Sequence, residues 1–298
     1  MLAAALRLAL LAVLLSGCGL FRKPPPTPAA QPRYVVGAAY QTGGAWFYPR
    51  EDFGLDTTGL AVVLPDHKGL TAYNEPFDGT AMAGSHDTLQ LPAIVRVTNL
   101  ETGLQALVQI NDRGPARPGR LIGLTARAAD RLGIAAGAVA RVRVQVEGEP
   151  SQALRDQLQS GTATVASAPR GAVSSETLAP PAGIAQSTRG RSVDRPAAPG
   201  LAAPSVLPPA ARLPETVVQV AADPGQLWIR AGEFGQARYA QAVQARLGGL
   251  GASVEQVRQG RSDTFRVRAG PFADVAQADS ALDQARRAGV TDARIAVE

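Results

Sequence analysis

The stretch "LQALVQINDRGP", residues 104–115, runs as an apolar strand and then sets Asp112 between Asn111 and Arg113, just ahead of Gly114 and Pro115. A turn needs no such cluster, but a reactive carboxyl group does: the strand fixes its backbone while the side chain reaches a cleft. A carboxyl group so placed can give a proton to a leaving oxygen and later take one back, which is general acid–base chemistry. Asn111 and Arg113 flank it as candidate substrate-binding groups, and Arg113 suits pairing with a carboxylate or holding a loop better than contacting substrate. The plainer reading is that Asp112 only caps a turn through Asn111 and Gly114.

Other residues suit recognition. "LWIRAGEF" (227–234) and "FRVRAGPF" (265–272) match at Arg, Ala, Gly and the final Phe. Each is followed by a helical stretch and a second β-like run, so the segment is a repeated β-α-β unit. Two such units give a small α+β domain with a four-stranded sheet and both helices on one face. Alternation places Leu227, Ile229, Ala231, Phe265, Val267 and Ala269 under the helices. Trp228, Arg230, Arg266 and Arg268 fall on the opposite face and are expected to be bare. Aromatic faces and Arg forks stack on sugar rings and grasp carboxylates or hydroxyls; the alternative is a solvated face with one incidental Trp.

Before that domain, residues 34–148 carry short apolar runs separated by turn signals. "LPAIVRVTN" (91–99) and "LQALVQI" (104–110) form a hairpin through Leu100–Gly103. "TARAADRLG" (125–133) reads as a short helix with Thr125 as N-cap and Gly133 as its stop. "AVARVRVQVEG" (138–148) alternates strictly and is a strand. This is mostly β, a small barrel or sandwich. Residues 149–215, rich in Pro, Ala, Ser, Gly and Gln, are expected to be a disordered linker, because they carry too little apolar surface to offset chain entropy.

The 298-residue chain suits two domains, and its formal charge of +5 comes almost wholly from Arg, without a basic block, so a nucleic-acid partner is not expected. Its one Cys excludes an internal disulfide, and two His leave no metal centre in prospect. That Cys ends "LRLALLAVLLSGCG": a basic residue, a short apolar run, then Leu15-Ser16-Gly17-Cys18. The run is too short to span a membrane and reads as a secretory signal, residues 1–17. The tetrad resembles the bacterial lipobox, which implies that Cys18 becomes the lipidated first residue. Acyl chains burying CH₂ groups at ~0.8 kcal/mol each would anchor it to a membrane. Gly19, in place of the Asp that retains lipoproteins at the inner membrane, implies the outer membrane. Residues 18–33, with "FRKPPPTPAAQP", make a Pro-rich tether.

Residues 219–298 resemble a SPOR domain, on the repeated β-α-β order and "FRVRAGPF". The resemblance implies binding of septal peptidoglycan glycan strands stripped of stem peptides, with Trp228, Arg230, Arg266 and Arg268 as glycan-binding residues. Many SPOR domains carry Gln and Ser in the first strand, where this one has Arg230 and Glu233. Residues 34–148 resemble the six-stranded double-psi β-barrel of the rare lipoprotein A family, on "LTAYNEPFD" (70–78), "HDTLQLPAIVRVTNLETG" (86–103) and "VQINDRGP" (108–115). Lipobox, barrel, linker and SPOR domain in this order make the match nearly full-length.

The family resemblance implies a lytic transglycosylase that cleaves between N-acetylmuramic acid and N-acetylglucosamine, leaving 1,6-anhydro ends. It implies Asp112, Glu75 and His86 as the catalytic group, no cofactor, a lipid-anchored place in the envelope enriched at the septum, and peptidoglycan as partner; protein partners are not legible. Each residue has a plainer role open to it, Glu75 as a loop residue in Asn-Glu-Pro and His86 as a structural hydrogen-bonder. The sequence departs from the family pattern in several places. "DTTGLAVVL" stands where "ASWYG" is usual, Tyr73-Asn74 replaces Asn-Gly before Glu75, "AGSH" replaces "AAH", and Gly123 stands where an Asp is expected. A non-catalytic glycan-binding lipoprotein is therefore the rival reading. A hydrolase on the same fold, which would leave reducing ends, is a third. "YVVGAAYQTGGAWFYPREDF" (34–53), with Trp46, Phe47 and Tyr48, either lines the cleft as a sugar platform or packs on the barrel, the latter being favoured.

Overall fold

A computed structural model describes residues 31–115, 117–162, 213–259 and 262–298. The expected signal sequence, Cys18 and the expected tether up to residue 30 lie outside the described residues.

A short hairpin, β1 (Tyr40–Thr42) and β2 (Ala45–Phe47), comes first, closed by Tyr40 stacking on Phe47 at 5.4 Å between ring centroids. Its neighbours Trp46 and Tyr48 stand 53% and 64% exposed, so the aromatic trio divides: Phe47 packs and the other two face solvent. The strands that follow are β3 (Asp56–Val63), β4 (Ala83–His86), β5 (Ala93–Asn99), β6 (Leu104–Asp112), β7 (Ile122–Leu124) and β8 (Val139–Val146). Their order is β4-β7-β3-β8-β5-β6, and parallel pairing of β6 back onto β4 closes the sheet. The result is the six-stranded barrel. Closure satisfies strands that would otherwise present free edges. Inward residues such as Val95, Val97, Val108, Ile110, Ile122 and Val142 are fully buried and fill it.

The hairpin of β5 and β6 pairs Ala93 with Ile110 through to Thr98 with Gln105, and turns at Gly103, whose φ of 74° suits a residue without Cβ. Between β7 and β8 lies α1 (Ala126–Arg131), with the Thr125 hydroxyl accepting from the Ala128 N–H and Gly133 left-handed beyond its end.

Residues 148–162 depart from the expected linker and form a helix, α2 (Gly148–Thr162). Ser151 is fully buried; its hydroxyl accepts from the Ile94 N–H at 2.9 Å and donates to the Ile94 carbonyl at 3.2 Å. Leu158 joins the barrel core and Arg155 lies over the Phe53 ring. Positions 151, 154, 155 and 158 share one helical face, a spacing that polar composition conceals. The remainder of the expected linker up to residue 212 lies outside the described residues.

After that gap β9 (Val217–Gln219) pairs with the first half of β6, the half that β4 does not cover. The chain has thus rejoined the barrel sheet before the C-terminal domain begins. That domain runs β10 (Leu227–Phe234), α3 (Ala237–Arg246), β11 (Ser253–Gln259), β12 (Ser262–Phe272), α4 (Val275–Arg287) and β13 (Arg294–Val297), in the antiparallel order β11-β12-β10-β13. Leu227, Ile229, Ala231, Val267 and Ala269 are buried against α3 and α4, as alternation predicts.

The barrel and this domain pack together, and Pro32–Glu298 is one compact unit. Strand β3 explains how: Ala61 points into the barrel core, while Leu60 points out and joins the apolar core of the C-terminal domain. The edge strand β13 is covered by β3, with the Thr58 hydroxyl donating to the Val297 carbonyl at 2.6 Å and accepting from its N–H at 3.2 Å. Arg120, 8% exposed, makes a two-pronged bond to Asp279 on α4 at 2.6 and 2.8 Å. Arg141 adds bonds to the carbonyls of Pro224 and Gly225.

Candidate active site

The end of β6 carries the site. Asp112 Oδ1 accepts from two backbone N–H groups, its neighbour Arg113 and Ala72, both at 2.8 Å. Asn111 works the same loop from the other side of the strand: its carbonyl accepts from the Tyr73 N–H, and its Nδ2 donates to Glu75 Oε1 at 2.6 Å. The loop is itself a tight turn. Thr71 N–H bonds to the Glu75 carbonyl, Leu70 bridges Pro76, and Asn74 takes a left-handed φ of 69°, which Asn tolerates better than most residues. The buried Tyr73 seats the turn on the barrel.

Asn111 and Asp112, adjacent in sequence, therefore bring Glu75 to the strand end that holds Asp112. Asn111 was a candidate substrate-binding residue; its side chain is committed to positioning Glu75. Burial pushes the Glu75 carboxyl above its usual range, the Asn111 bond opposes this, and the negative charge of Asp78 adds to it. The Asp112 carboxyl makes its described bonds through Oδ1, and Oδ2 carries none among the described residues.

His86 ends β4, paired across to Ile122, and is 4% exposed. Its Nδ1 accepts from the Thr88 and Leu89 N–H groups, both at 3.2 Å, so Nε2 carries the ring proton. Burial, reinforced by the positive charge of Arg113 and opposed by Asp52, lowers its pKa to about 4, and the ring is neutral at pH 7. Nε2 is buried without a hydrogen-bond partner among the described residues. His86 shapes the turn after β4; this is the structural hydrogen-bonding role.

Arg113 donates to the carbonyls of Val36, Leu89 and His86, tying the segment ahead of β1 to the turn after β4. These bonds are the loop-holding role that suited Arg113 better than a substrate contact. Beside it stands a carboxylate that sequence reasoning missed. Asp87 is raised to about 6 by burial, against the pull of the Tyr40 hydroxyl, Arg113 and Arg286. Nothing in "SHDT" marks it, because its burial depends on the β1–β2 hairpin and on α4.

Gly123, where an Asp was expected, has a steric reason. A Cβ there would lie 2.4 Å from Leu64 Cδ2 and 2.5 Å from Ser85 Oγ, and one on Gly84 would lie 2.5 Å from the Gly123 carbonyl oxygen. Ser85 lies directly opposite Gly123 across β4 and β7, and a side chain at 123 would have to displace Ser85 and Leu64. Among the described residues no three His, Cys, Asp or Glu side chains gather as a metal site.

The C-terminal sheet face is not bare as expected. Arg268 lies over the Trp228 ring at 4.5 Å and bonds to Glu298, which also takes Arg230, while Arg266 bonds to Glu233. Register sets Arg294, Arg230 and Arg268 side by side across β13, β10 and β12.

Comparison with known proteins agrees with this architecture. A family model described as a lytic transglycolase matches residues 43–144, and a SPOR domain model matches residues 223–296. The endolytic peptidoglycan transglycosylase RlpA of Pseudomonas aeruginosa PAO1 is 29% identical over 285 residues, covering 90% of this chain and 79% of its own. The protein of the same name from Escherichia coli K12 is 46% identical over 76 residues, covering 25% of this chain and 21% of its own. The crystal structure of the RlpA SPOR domain from Pseudomonas aeruginosa aligns with 24% of this chain and 99% of its own at 21% identity, with a TM-score of 0.23. With a closed six-stranded barrel followed by a SPOR domain, and similarity along 90% of its length to an RlpA protein, the chain matches the RlpA family.

Proposed function

We propose that this protein is a peptidoglycan lytic transglycosylase that cuts the bond between N-acetylmuramic acid and N-acetylglucosamine in glycan strands free of stem peptides. The observation that carries the reading is that the end of β6 holds the turn at 70–76 with two consecutive side chains, Asp112 through the Ala72 N–H and Asn111 through the Glu75 carboxylate. The glycosidic C–O bond breaks as a carboxylic acid protonates the leaving oxygen. The C6 hydroxyl of the muramyl residue closes on its own C1, its proton passes to the carboxylate, and a 1,6-anhydro end results without water.

Glu75 suits the proton-carrying role, since burial favours its protonated form. Asp112, with Oδ1 held by two backbone donors, suits stabilisation of the positive charge that develops at C1. Asn111 and His86 are positioning residues. The Cys18 lipid anchor, attachment to the outer membrane and enrichment at the septum belong to the same proposal and rest on the lipobox and the SPOR domain.

The test is mass spectrometry of products from stem-peptide-free glycan strands. Wild type is expected to produce anhydro-muramyl ends. Glu75→Gln and Asp112→Asn, both of which keep an oxygen acceptor, are expected to lower the rate by ~10²–10⁴-fold with binding retained. Binding without new ends in wild type would sink the reading in favour of a glycan-binding lipoprotein, and reducing ends would indicate a hydrolase.

A further inference from the structure

Where the C-terminal domain meets the barrel a groove opens, lined on the barrel side by Asp56, Thr57, Thr58 and Arg143, and on the other by Asp223, Arg230 and Glu298. Leu100 and Val297 are its apolar lining. Arg230 and Glu298 also belong to the exposed sheet face, so groove and face are one continuous surface. Strands β3 and β8 form the groove's barrel wall, and neither Glu75 nor Asp112 lines it.

We propose that this groove is a second glycan subsite, shared between the two domains, which takes the hydroxyl- and acetamido-bearing edges of an amino-sugar polymer. The inference rests on the glycan reading of the protein. Two guanidinium groups face three carboxylates here, so the groove is not a site for a phosphate or another strongly anionic group. It offers guanidinium donors and carboxylate acceptors held in fixed pairs, Arg143 with Asp56 and Arg230 with Glu298, beside which neutral hydroxyls and amides can bond. Arg143 is held in place by Asp56, at 2.7 and 2.5 Å, and Asp56 takes a further bond from Gln145 at 3.1 Å. The neighbouring row of Arg294, Arg230 and Arg268 carries the positive charge that free muramyl carboxylates would meet.

A strand lying on the SPOR face would thus run on to the barrel wall, and docking would set its direction. Binding at a second, linked subsite shows up as a gain in affinity with chain length.

The test measures affinity for stem-peptide-free oligosaccharides of increasing length by calorimetry, in the full chain carrying Asp112→Asn so that nothing is cut. The expected result is a gain of about tenfold from the shortest binding oligomer to the longest, abolished by Arg143→Ala while the shortest binds as before. Arg143 and Asp56 are about half exposed, so the variant keeps its fold and an unchanged thermal midpoint. Asp279→Arg, which opposes the buried Arg120 and loosens the docking, is expected to lose the same gain. A length-dependent gain that persists in Arg143→Ala overturns the proposal, as does equal loss of short and long oligomers in that variant. Failure of the catalytic reading would appear instead as missing anhydro ends in wild type.

Discussion

Asp87 and His86 are chain neighbours whose burial acts in opposite directions with pH. The Asp87 carboxyl, raised to about 6 in the fold, opposes folding once ionised; its stabilising contribution is present at low pH and is lost as pH rises through about 6. The His86 imidazole, lowered to about 4, favours folding above its unfolded value of 6.5, and that contribution is lost as pH falls from there towards 4. The two effects offset each other across the same window. Asp87→Asn is therefore expected to raise stability at pH 7.5 by on the order of 1–3 kcal/mol, and the advantage should vanish near pH 4. Thermal midpoints of both proteins across that range check it. A constant difference at every pH would disprove the assignment.

At the scale of elements, α2 is the least expected part of the molecule. Its composition is that of a linker, yet Ser151 satisfies both backbone groups of Ile94 inside the structure. Ser151→Ala leaves that N–H and carbonyl without the hydroxyl and is expected to cost on the order of 1–3 kcal/mol, seen as a lower midpoint in denaturant with unchanged slope. Activity on glycan strands should be unaffected at temperatures where the variant stays folded, because α2 contacts β5 rather than the end of β6. Glycines 84 and 123, on the paired strands β4 and β7, act at this scale too. A Cβ on Gly84 would lie 2.5 Å from the Gly123 carbonyl oxygen, so the close approach of β4 and β7 depends on the missing side chain.

For the whole molecule, docking of the C-terminal domain decides which surfaces are free. Leu60, Thr58, Arg120 and Arg141 are barrel residues with partners in that domain or in the segment leading to it, and they give the two domains a defined relative orientation. A protease site introduced between residues 163 and 212 is expected to yield two pieces that still elute together. Asp279→Arg should weaken their association about tenfold to a hundredfold, since it sets a second guanidinium against the nearly buried Arg120. Fluorescence anisotropy on the cleaved protein measures this. Equal affinity in both forms would mean that the ion pair has no part in docking.

Local signals were enough for the β5–β6 hairpin, the capped helix α1, the strand β8 and the repeated β-α-β units, because turn chemistry and alternation depend on neighbours along the chain. Asp112 was legible as a group at a strand end, and family resemblance led to Glu75 and His86. The sequence could not say that Arg113 spends its donors on three carbonyls, that Asn111 holds Glu75, or that His86 is buried and neutral. Those states depend on residues 27 to 77 positions away or on burial by the completed barrel. Asp87 went unread for the same reason, as did the charge pairing on the SPOR face. The outward half of β3 looked like an ordinary strand face until the second domain covered it. Periodicity reports which face of an element is apolar, and only the folded chain decides what comes to lie against it.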